Sequence, residues 1–472
     1  MRYEMVCGME THVELATKTK IFCNCTTAFG GAPNTHCCPI CTGQPGTLPL
    51  LNEKVVEYAI RAGLALHCTI NEHCHMDRKN YVYPDLPKAY QISQFDEPVC
   101  EHGYIELDSG KRIGITRIHI EEDAGKLVHE NGYTYIDYNR GGVPLIEIVS
   151  EPDISSPEEA REYAEKLQLT MRYVGVSDCK MQEGSMRCDV NVSLRPVGTT
   201  EFGTRTESKN INSLANIVKA INREIERQTD ILDSGEQVLQ ATMRYDADTD
   251  EISIMRLKEN SDDYRYFPEP DILRFIIPAE KIEEARRALP ELPTAKLARY
   301  MEEYELPENN ARQLYKYKKV TEFLEGTVAA GAGAKNTANL ILRTIYSQMA
   351  TEEDKENFEI PTTPAQMAEL VKLIDEKKMN FNSAAEVLVK MLESGESVSA
   401  YVKEEELAGV SNDDLAVWCR EAVENNPKAV EDIKNGKDKA INVMFGYVMK
   451  MSKGKADIKV AEGIIRDIIS KL

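Results

Sequence analysis

The chain has 472 residues, 42% of them hydrophobic, and a formal net charge of -21. That acidity excludes a protein that coats nucleic acid through bulk charge, while leaving room for a local basic patch. The length suits two to four domains with real cores. No run approaches the roughly 18 apolar residues of a membrane span. The start, Met1-Arg-Tyr-Glu-Met-Val-Cys7, lacks a signal peptide's apolar stretch, so a soluble cytoplasmic protein without membrane contact is expected.

Residues 1–292 read as mixed α and β. Alternating runs at Arg117–Glu121, Tyr133–Asn139 and Met186–Arg195 predict strands. Helical periodicity predicts helices over Asn52–Leu66, Pro157–Val174 and Ser213–Leu232. Beyond Pro290-Glu-Leu-Pro293 the texture turns helical, with helices expected at Ala295–Tyr304, Asn310–Thr327, Thr337–Met349, Pro364–Glu376 and Ala384–Glu393. A last segment from about Glu406 reads as three or four short helices. The expected fold is α+β: a mixed α and β domain over 1–292, an all-α domain over 293–405 and a small all-α tail over 406–472.

All eight histidines and eleven of the twelve cysteines lie in the first 188 residues. His and Cys supply most soft metal ligands and many catalytic groups, so chemistry is expected there. Cys23-Asn-Cys25 and Cys38-Pro-Ile-Cys41 form two close pairs across a loop with Gly30, Gly31 and Pro33. In a reducing compartment that pattern suits four thiolates on tetrahedral zinc, with His36 and Cys37 as rival ligands. Four thiolates leave no open position for water, which favours a structural zinc over a catalytic one.

In Glu10-Thr-His12-Val-Glu14, a strand puts positions 10, 12 and 14 on one face. This reads as a platform for a divalent metal or as a solvated strand face. In Arg117-Ile-His-Ile-Glu-Glu-Asp123, alternation ends in three carboxylates, which suits magnesium held for phosphate chemistry or an acidic turn. Strand register decides which of Glu121, Glu122 and Asp123 faces a metal. In Met186–Arg195 the residues Arg187, Asp189, Asn191, Ser193 and Arg195 share one face, and Arg205, Glu207 and Lys209 alternate soon after. Together they can floor a site for ATP and metal. The stretch Asp77–Gln91 cannot be a regular helix because of Pro84 and Pro87; its tyrosines and cations suit a ligand-binding loop or plain packing. No G-x-x-x-x-G-K-[ST] loop, G-x-S-x-G elbow or H-E-x-x-H helix is present. In the tail, Pro427 to Lys459 carries eight lysines against four acids. Lys450, Lys453 and Lys455 there suit contacts to RNA phosphates.

These stretches, in this order, resemble the GatB family, whose members are subunits of tRNA-dependent aspartyl/glutamyl amidotransferases. The resemblance rests on Gly8–Glu14, Pro33–Pro49, Asp77–Gln91, His119–Lys126, Arg140–Glu147, Gln182–Asp189 and Glu207–Ser213. It implies a cradle domain built on an antiparallel sheet akin to glutamine synthetase, a helical domain and a YqeY-like tail that binds tRNA. It implies phosphorylation by ATP of the side-chain carboxylate of misacylated Glu-tRNA(Gln) or Asp-tRNA(Asn), then amidation by ammonia from a glutaminase. The partners it implies are a GatA-like amidase and a GatC-like small subunit. On this basis Mg2+ is expected on Glu10, His12, Glu122 and Asp189, with Glu207 nearby, and zinc on Cys23, Cys25, Cys38 and Cys41. Arg187, Arg205 and Lys209 are expected to offset phosphate charge, and Lys79, Tyr81, Lys88, Asn191 and Ser193 to hold the nucleotide. The rivals are a zinc-dependent hydrolase and a tRNA-binding scaffold without chemistry.

Overall fold

The computed structural model describes residues 2–257, 264–402, 412–452 and 456–471. The chain divides into two compact units, residues 1–293 and 294–472.

The first unit carries strands β1 (Tyr3–Glu14), β2 (Thr69–Ile70), β3 (His73–Cys74), β4 (Asp77–Asn80), β5 (Tyr90–Ser93), β6 (Cys100–Glu106), β7 (Arg112–Glu122) and β8 (Lys126–Glu130). They are followed by β9 (Tyr133–Asp137), β10 (Pro144–Ser150), β11 (Met186–Pro196), β12 (Thr206–Ile211), β13 (Ala241–Asp246), β14 (Glu251–Leu257), β15 (Phe267–Pro268) and β16 (Phe275–Ile276). Nine of them form one sheet in the order β14-β13-β12-β11-β1-β10-β7-β6-β2. Every neighbouring pair is antiparallel except β12–β13. The sheet is thus antiparallel-rich, as expected, with one parallel pair. Its cause is α3 (Leu214–Asp233), which carries the chain between the two strands as a crossover and so returns it in the same direction.

Three helices cover one face of the sheet: α1 (Glu53–Ala65), α2 (Pro157–Tyr173) and α3. Each starts where the sequence supplies a cap: the side chains of Asn52, Ser156 and Ser213 accept hydrogen bonds from the backbone N–H of Lys54, Glu159 and Asn216. Their apolar faces bury Ile60, Leu167 and Ile217 against Met9, Val13, Ile120, Ile146 and Val190 of the sheet. A fourth helix, α4 (Ala279–Arg287), follows β16.

A buried polar tie lies under this cover. Gln228 of α3 donates to Val192 O at 3.1 Å and to Glu224 Oε1 at 2.8 Å, and accepts from Leu194 N at 3.1 Å. It joins the helix to the β11 backbone and satisfies groups that burial would otherwise leave unpaired.

The second unit is helical among its described residues, with two separate hydrophobic clusters. One gathers Leu314, Val320, Leu324, Leu340, Leu370 and Leu388. The other gathers Leu415, Cys419, Met444, Val448, Ala461 and Ile465. The expected boundary at 405–406 lies outside the described residues.

Two expected helices are corrected. Asn310–Thr327 is two helices, Glu308–Tyr315 and Lys318–Ala329. Tyr317 leaves helical dihedrals, with φ -119° and ψ 114°, and its buried ring turns a hydroxyl toward the Glu352 carboxylate. Thr337–Met349 begins earlier, as Ala334–Leu340, then widens into a π-turn over Ile341–Ile345 and tightens into a 3-10 turn at Tyr346–Gln348. Among the described residues no helix is long and apolar enough to cross a membrane.

Candidate active site

β1 runs through the middle of the large sheet, between β10 and β11. Its odd residues Met9, Thr11 and Val13 face the helices, so Glu10, His12 and Glu14 face the other way. Register decides what meets them. Glu10 lies opposite Asp189 on β11, and His12 lies opposite Glu147 on β10. Glu147 in turn lies opposite His119 on β7, and Asn191 opposite Glu207 on β12. Directly opposed residues bring their side chains within interaction range.

Two clusters result. In the first, His12 Nε2 stands 3.4 Å from Glu121 Oε1 and 3.5 Å from Glu147 Oε2, with His119 Nε2 3.3 Å from Glu147 Oε2. In the second, oxygens of Glu10, Asp189 and Glu207 lie within 4.8 Å of one another. Lys209 Nζ bridges Asp189 at 3.0 Å and Glu207 at 3.2 Å, and Asn191 Nδ2 donates to Glu10 at 3.0 Å. All four acids from β7, β10, β11 and β12 are buried.

Burial at such density distorts the titration. Burial opposes charge on His12, but the carboxylates of Glu147, Glu121 and Asp189 outweigh it and raise its pKa to about 9. Glu10 is pushed up by burial and by Glu147, Glu207 and Asp189. Glu147 is held well below the usual carboxylate range, against its burial, by His119 and His12. Oε2 of Glu121 is buried and accepts no hydrogen bond, and neither does Oδ1 of Asn191. Carboxylate oxygens gathered around an imidazole are ligands of the kind a divalent cation takes.

Glu122, expected beside His12, lies on the opposite side of β7. It follows Ile118 and Ile120 by alternation, pairs with Lys88 and accepts from the Ile92 N–H at 2.9 Å. Glu121 stands where Glu122 was expected. Lys88 therefore also lies away from the acidic face. Lys79 does approach it: its ammonium sits over the Tyr264 ring, 5.1 Å from the centroid, and its pKa is raised by Glu121 and Glu147 against its burial. Tyr81 packs edge-on against Tyr264 and Tyr83. Arg187 shares the face but gives its guanidinium to Asp123, at 2.9 Å. Ser193 is buried on β11 two residues beyond Asn191, and Arg205 is exposed just before β12.

Two residues at the first cluster, His119 and Glu147, were not singled out as ligands. Glu147 had a signal: it is the one charged residue in the buried run Val143–Ile148.

The four cysteines of the expected zinc loop converge, with the sulfurs of Cys23, Cys25, Cys38 and Cys41 within 4.8 Å of one another. The turn Cys38–Cys41 folds back so that the Cys38 N–H points at Cys41 Sγ, 3.2 Å away. A hydrogen bond from Cys23, the Cys38 N–H and the nearby Lys20 ammonium bring Cys41 down to about 4, against burial. Cys37, a rival ligand, instead donates to the Asn34 carbonyl at 3.2 Å. Of the tail lysines, Lys450 is exposed near the end of Asn442–Met451, while Lys453 and Lys455 lie outside the described residues.

One face of the large sheet thus collects acids and imidazoles from five strands. The catalytic-domain model of the GatB/GatE family matches residues 5–283, and a second model, described as GatB domain, matches residues 322–469. The chain is 50% identical over 476 residues to the GatB-type subunit of the aspartyl/glutamyl-tRNA(Asn/Gln) amidotransferase of Thermoanaerobacter pseudethanolicus, covering all of both chains. It is 50% identical over 481 residues to the corresponding subunit from Caldicellulosiruptor saccharolyticus, and 45% identical over 476 residues to that of Thermodesulfovibrio yellowstonii, again covering both chains in full. The chain belongs to the GatB family. It is an amidotransferase subunit of the ligase class, as its resemblance implied, and not a zinc hydrolase or an inert scaffold.

Proposed function

We propose that the polar face of the large sheet activates the side-chain carboxylate of Glu-tRNA(Gln), Asp-tRNA(Asn) or both by transfer of the ATP γ-phosphate, and that ammonia then displaces phosphate to give the amide. A carboxylate is a poor electrophile, and phosphorylation gives it a leaving group. Such a transfer needs positioning and charge neutralisation more than a protein nucleophile. The observation that carries this reading is the pair of adjoining clusters, His12–Glu121–Glu147 and Glu10–Asp189–Glu207.

Those six residues would hold divalent magnesium; the buried Glu121 oxygen that accepts no hydrogen bond and the carboxylate-rich lining fit it. When bound, the metal supplies positive charge to phosphate oxygens during transfer. The chain's own residues do the rest. His119 orients Glu147, Asn191 orients Glu10, and the ammonium groups of Lys209 and Lys79 flank the clusters as fixed positive charge. Asn191 and Ser193 remain our candidates for nucleotide contacts on β11, with Tyr81 and Lys79 at the rim.

The four thiols suit structural zinc, because four sulfurs close the coordination shell. The first unit is read as a cradle domain akin to glutamine synthetase. Residues 293–405 and 406–472 are read as a helical domain and a YqeY-like, tRNA-binding tail, with Lys450 among the RNA contacts. The subunit is read as working in the cytoplasm with a glutaminase subunit and a small third subunit.

Reconstitution with those two subunits tests this. Phosphate release from ATP should rise on adding misacylated tRNA and should require Mg2+. ATP turnover that ignores tRNA would overturn the proposal.

A further inference from the structure

The four-thiol loop touches more than itself. Between Asp123 and Gly142 the chain leaves the sheet as the hairpin β8–β9, then returns to begin β10. Among the described residues this hairpin forms a separate two-stranded sheet, and it exposes Val128, Tyr133 and Tyr135. An isolated two-stranded hairpin with so little buried surface is marginal in water. It nevertheless joins the strand that carries Glu121 to the strand that carries Glu147.

What holds its base is the loop between the two cysteine pairs. Asn34 N donates to Asp137 Oδ1 at 2.9 Å, and Asn34 Nδ2 donates to Ile136 O at 2.9 Å. Asn34 Oδ1 accepts from Tyr138 N at 2.8 Å. Asn139 answers from the other side: its Oδ1 accepts from His36 N at 2.8 Å and its Nδ2 donates to Ala32 O at 2.7 Å. Lys20 closes the circuit, with Nζ 3.7 Å from Cys41 Sγ and 3.2 Å from Tyr138 O. Beyond this seam Arg140 donates to the carbonyls of Ala124 and Gly125, and Gly142 N donates to Asp123 O. The path runs from the sulfurs to the strand ends without a gap.

We propose that the thiol centre, through Asn34 and Asn139, positions the β8–β9 connection and thereby the spacing of Glu121 and Glu147. This rests on the reading that the four thiols bind zinc. Asn34 and Asn139 are positioning residues: they touch neither acid cluster, and they act through the backbone at 136–142. Loss of zinc frees the loop 23–41, the seam opens, and the base of the hairpin frays.

Hydrogen exchange on the full-length chain, zinc-loaded and after chelation, reads this directly. The informative variant is Asn34→Gly. Asn34 sits at φ 59°, where glycine is comfortable, so the change removes two side-chain hydrogen bonds without backbone strain. Chelation should speed exchange at 126–142 at least tenfold and leave 100–106 unchanged. Asn34→Gly should reproduce that gain with zinc content unaltered, and should weaken Mn2+ binding, followed by its paramagnetic resonance signal. Zinc loss confined in effect to residues 20–47, or Asn34→Gly with normal protection at 126–142, overturns the proposal. Absence of stoichiometric zinc in the native protein instead overturns the zinc reading and leaves the Asn34→Gly result to judge the seam alone.

Discussion

His12 of β1 and Glu147 of β10 are direct cross-strand partners, and His12 Nε2 stands 3.5 Å from Glu147 Oε2. The pairing fixes one corner of the acidic platform. The neighbouring strand supplies Glu121 rather than Glu122 to the same corner. Glu121→Gln should therefore lower tRNA-stimulated phosphate release by about 10²-fold or more, the usual cost of losing one essential charge-stabilising group. Glu122→Gln, on the far side of β7, should act less through the chemistry than through its lost ion pair with Lys88. Single-turnover phosphate release on both variants checks this. Equal losses from chemistry alone would reject the assignment of faces.

The raised His12 pKa of about 9 has opposite effects on the metal-free and metal-loaded protein. Without metal, imidazolium at His12 stabilises the fold fully below the unfolded value of about 6.5, and the contribution is lost as pH rises through about 9. Metal binding needs the neutral ring, so affinity should rise with pH over that same window and binding should release protons. Melting curves of the metal-free chain and Mn2+ titrations in buffers of different ionisation enthalpy measure the two trends.

Gln228 is fully buried and makes hydrogen bonds to β11 and to Glu224. Gln228→Leu keeps much of the volume but strands the Leu194 N–H, while the Val192 carbonyl keeps the Thr206 hydroxyl as a donor at 3.3 Å. The expected loss is about 1–3 kcal/mol from the first unit, the cost of one orphaned buried group. Calorimetry that finds the first unit's transition unmoved would show that water replaces the side chain.

In the second unit, Glu325 Oε1 accepts from Lys296, Arg299 and Tyr300 at 2.5, 2.5 and 3.0 Å. Burial opposes its charge, but Lys296 and Arg299 hold its pKa below the usual range. Its stabilisation is present above the unfolded value of about 4.3 and disappears as pH falls through the lower folded value. Glu325→Gln should cost about 1–2 kcal/mol at neutral pH and flatten the acid limb of the second unit's stability. Far-ultraviolet dichroism against pH, on both forms, gives the answer.

Much of this arrangement was legible in the residues. The face shared by Glu10, His12 and Glu14, the clean alternation of Met186–Arg195 and the helical periodicity of Asn52–Leu66, Pro157–Val174 and Ser213–Leu232 are local patterns, and local patterns survive folding. What escaped depends on pairing between distant strands. Alternation alone cannot say which of Glu121 and Glu122 faces inward, because register is a property of two strands. Glu147 and His119 escaped for the same reason: Glu147 looks like an isolated charge in an apolar strand, and His119 like one member of an ordinary polar strand face, until β10 is laid between β1 and β7. The break at Tyr317 escaped because it is driven by a tertiary contact with Glu352 and carries no proline or glycine.

Glu121 and Glu122 are consecutive, so one peptide unit divides the acid platform from the space beside the thiol loop. Replacing a side chain in β7 alters one compartment. Adding or deleting a residue between Ile118 and Glu122 would rotate the strand end by half a turn, send the platform's carboxylate toward Lys88 and Cys41, and bring its neighbour to His12. This short stretch should thus accept spelling changes far more readily than changes in length.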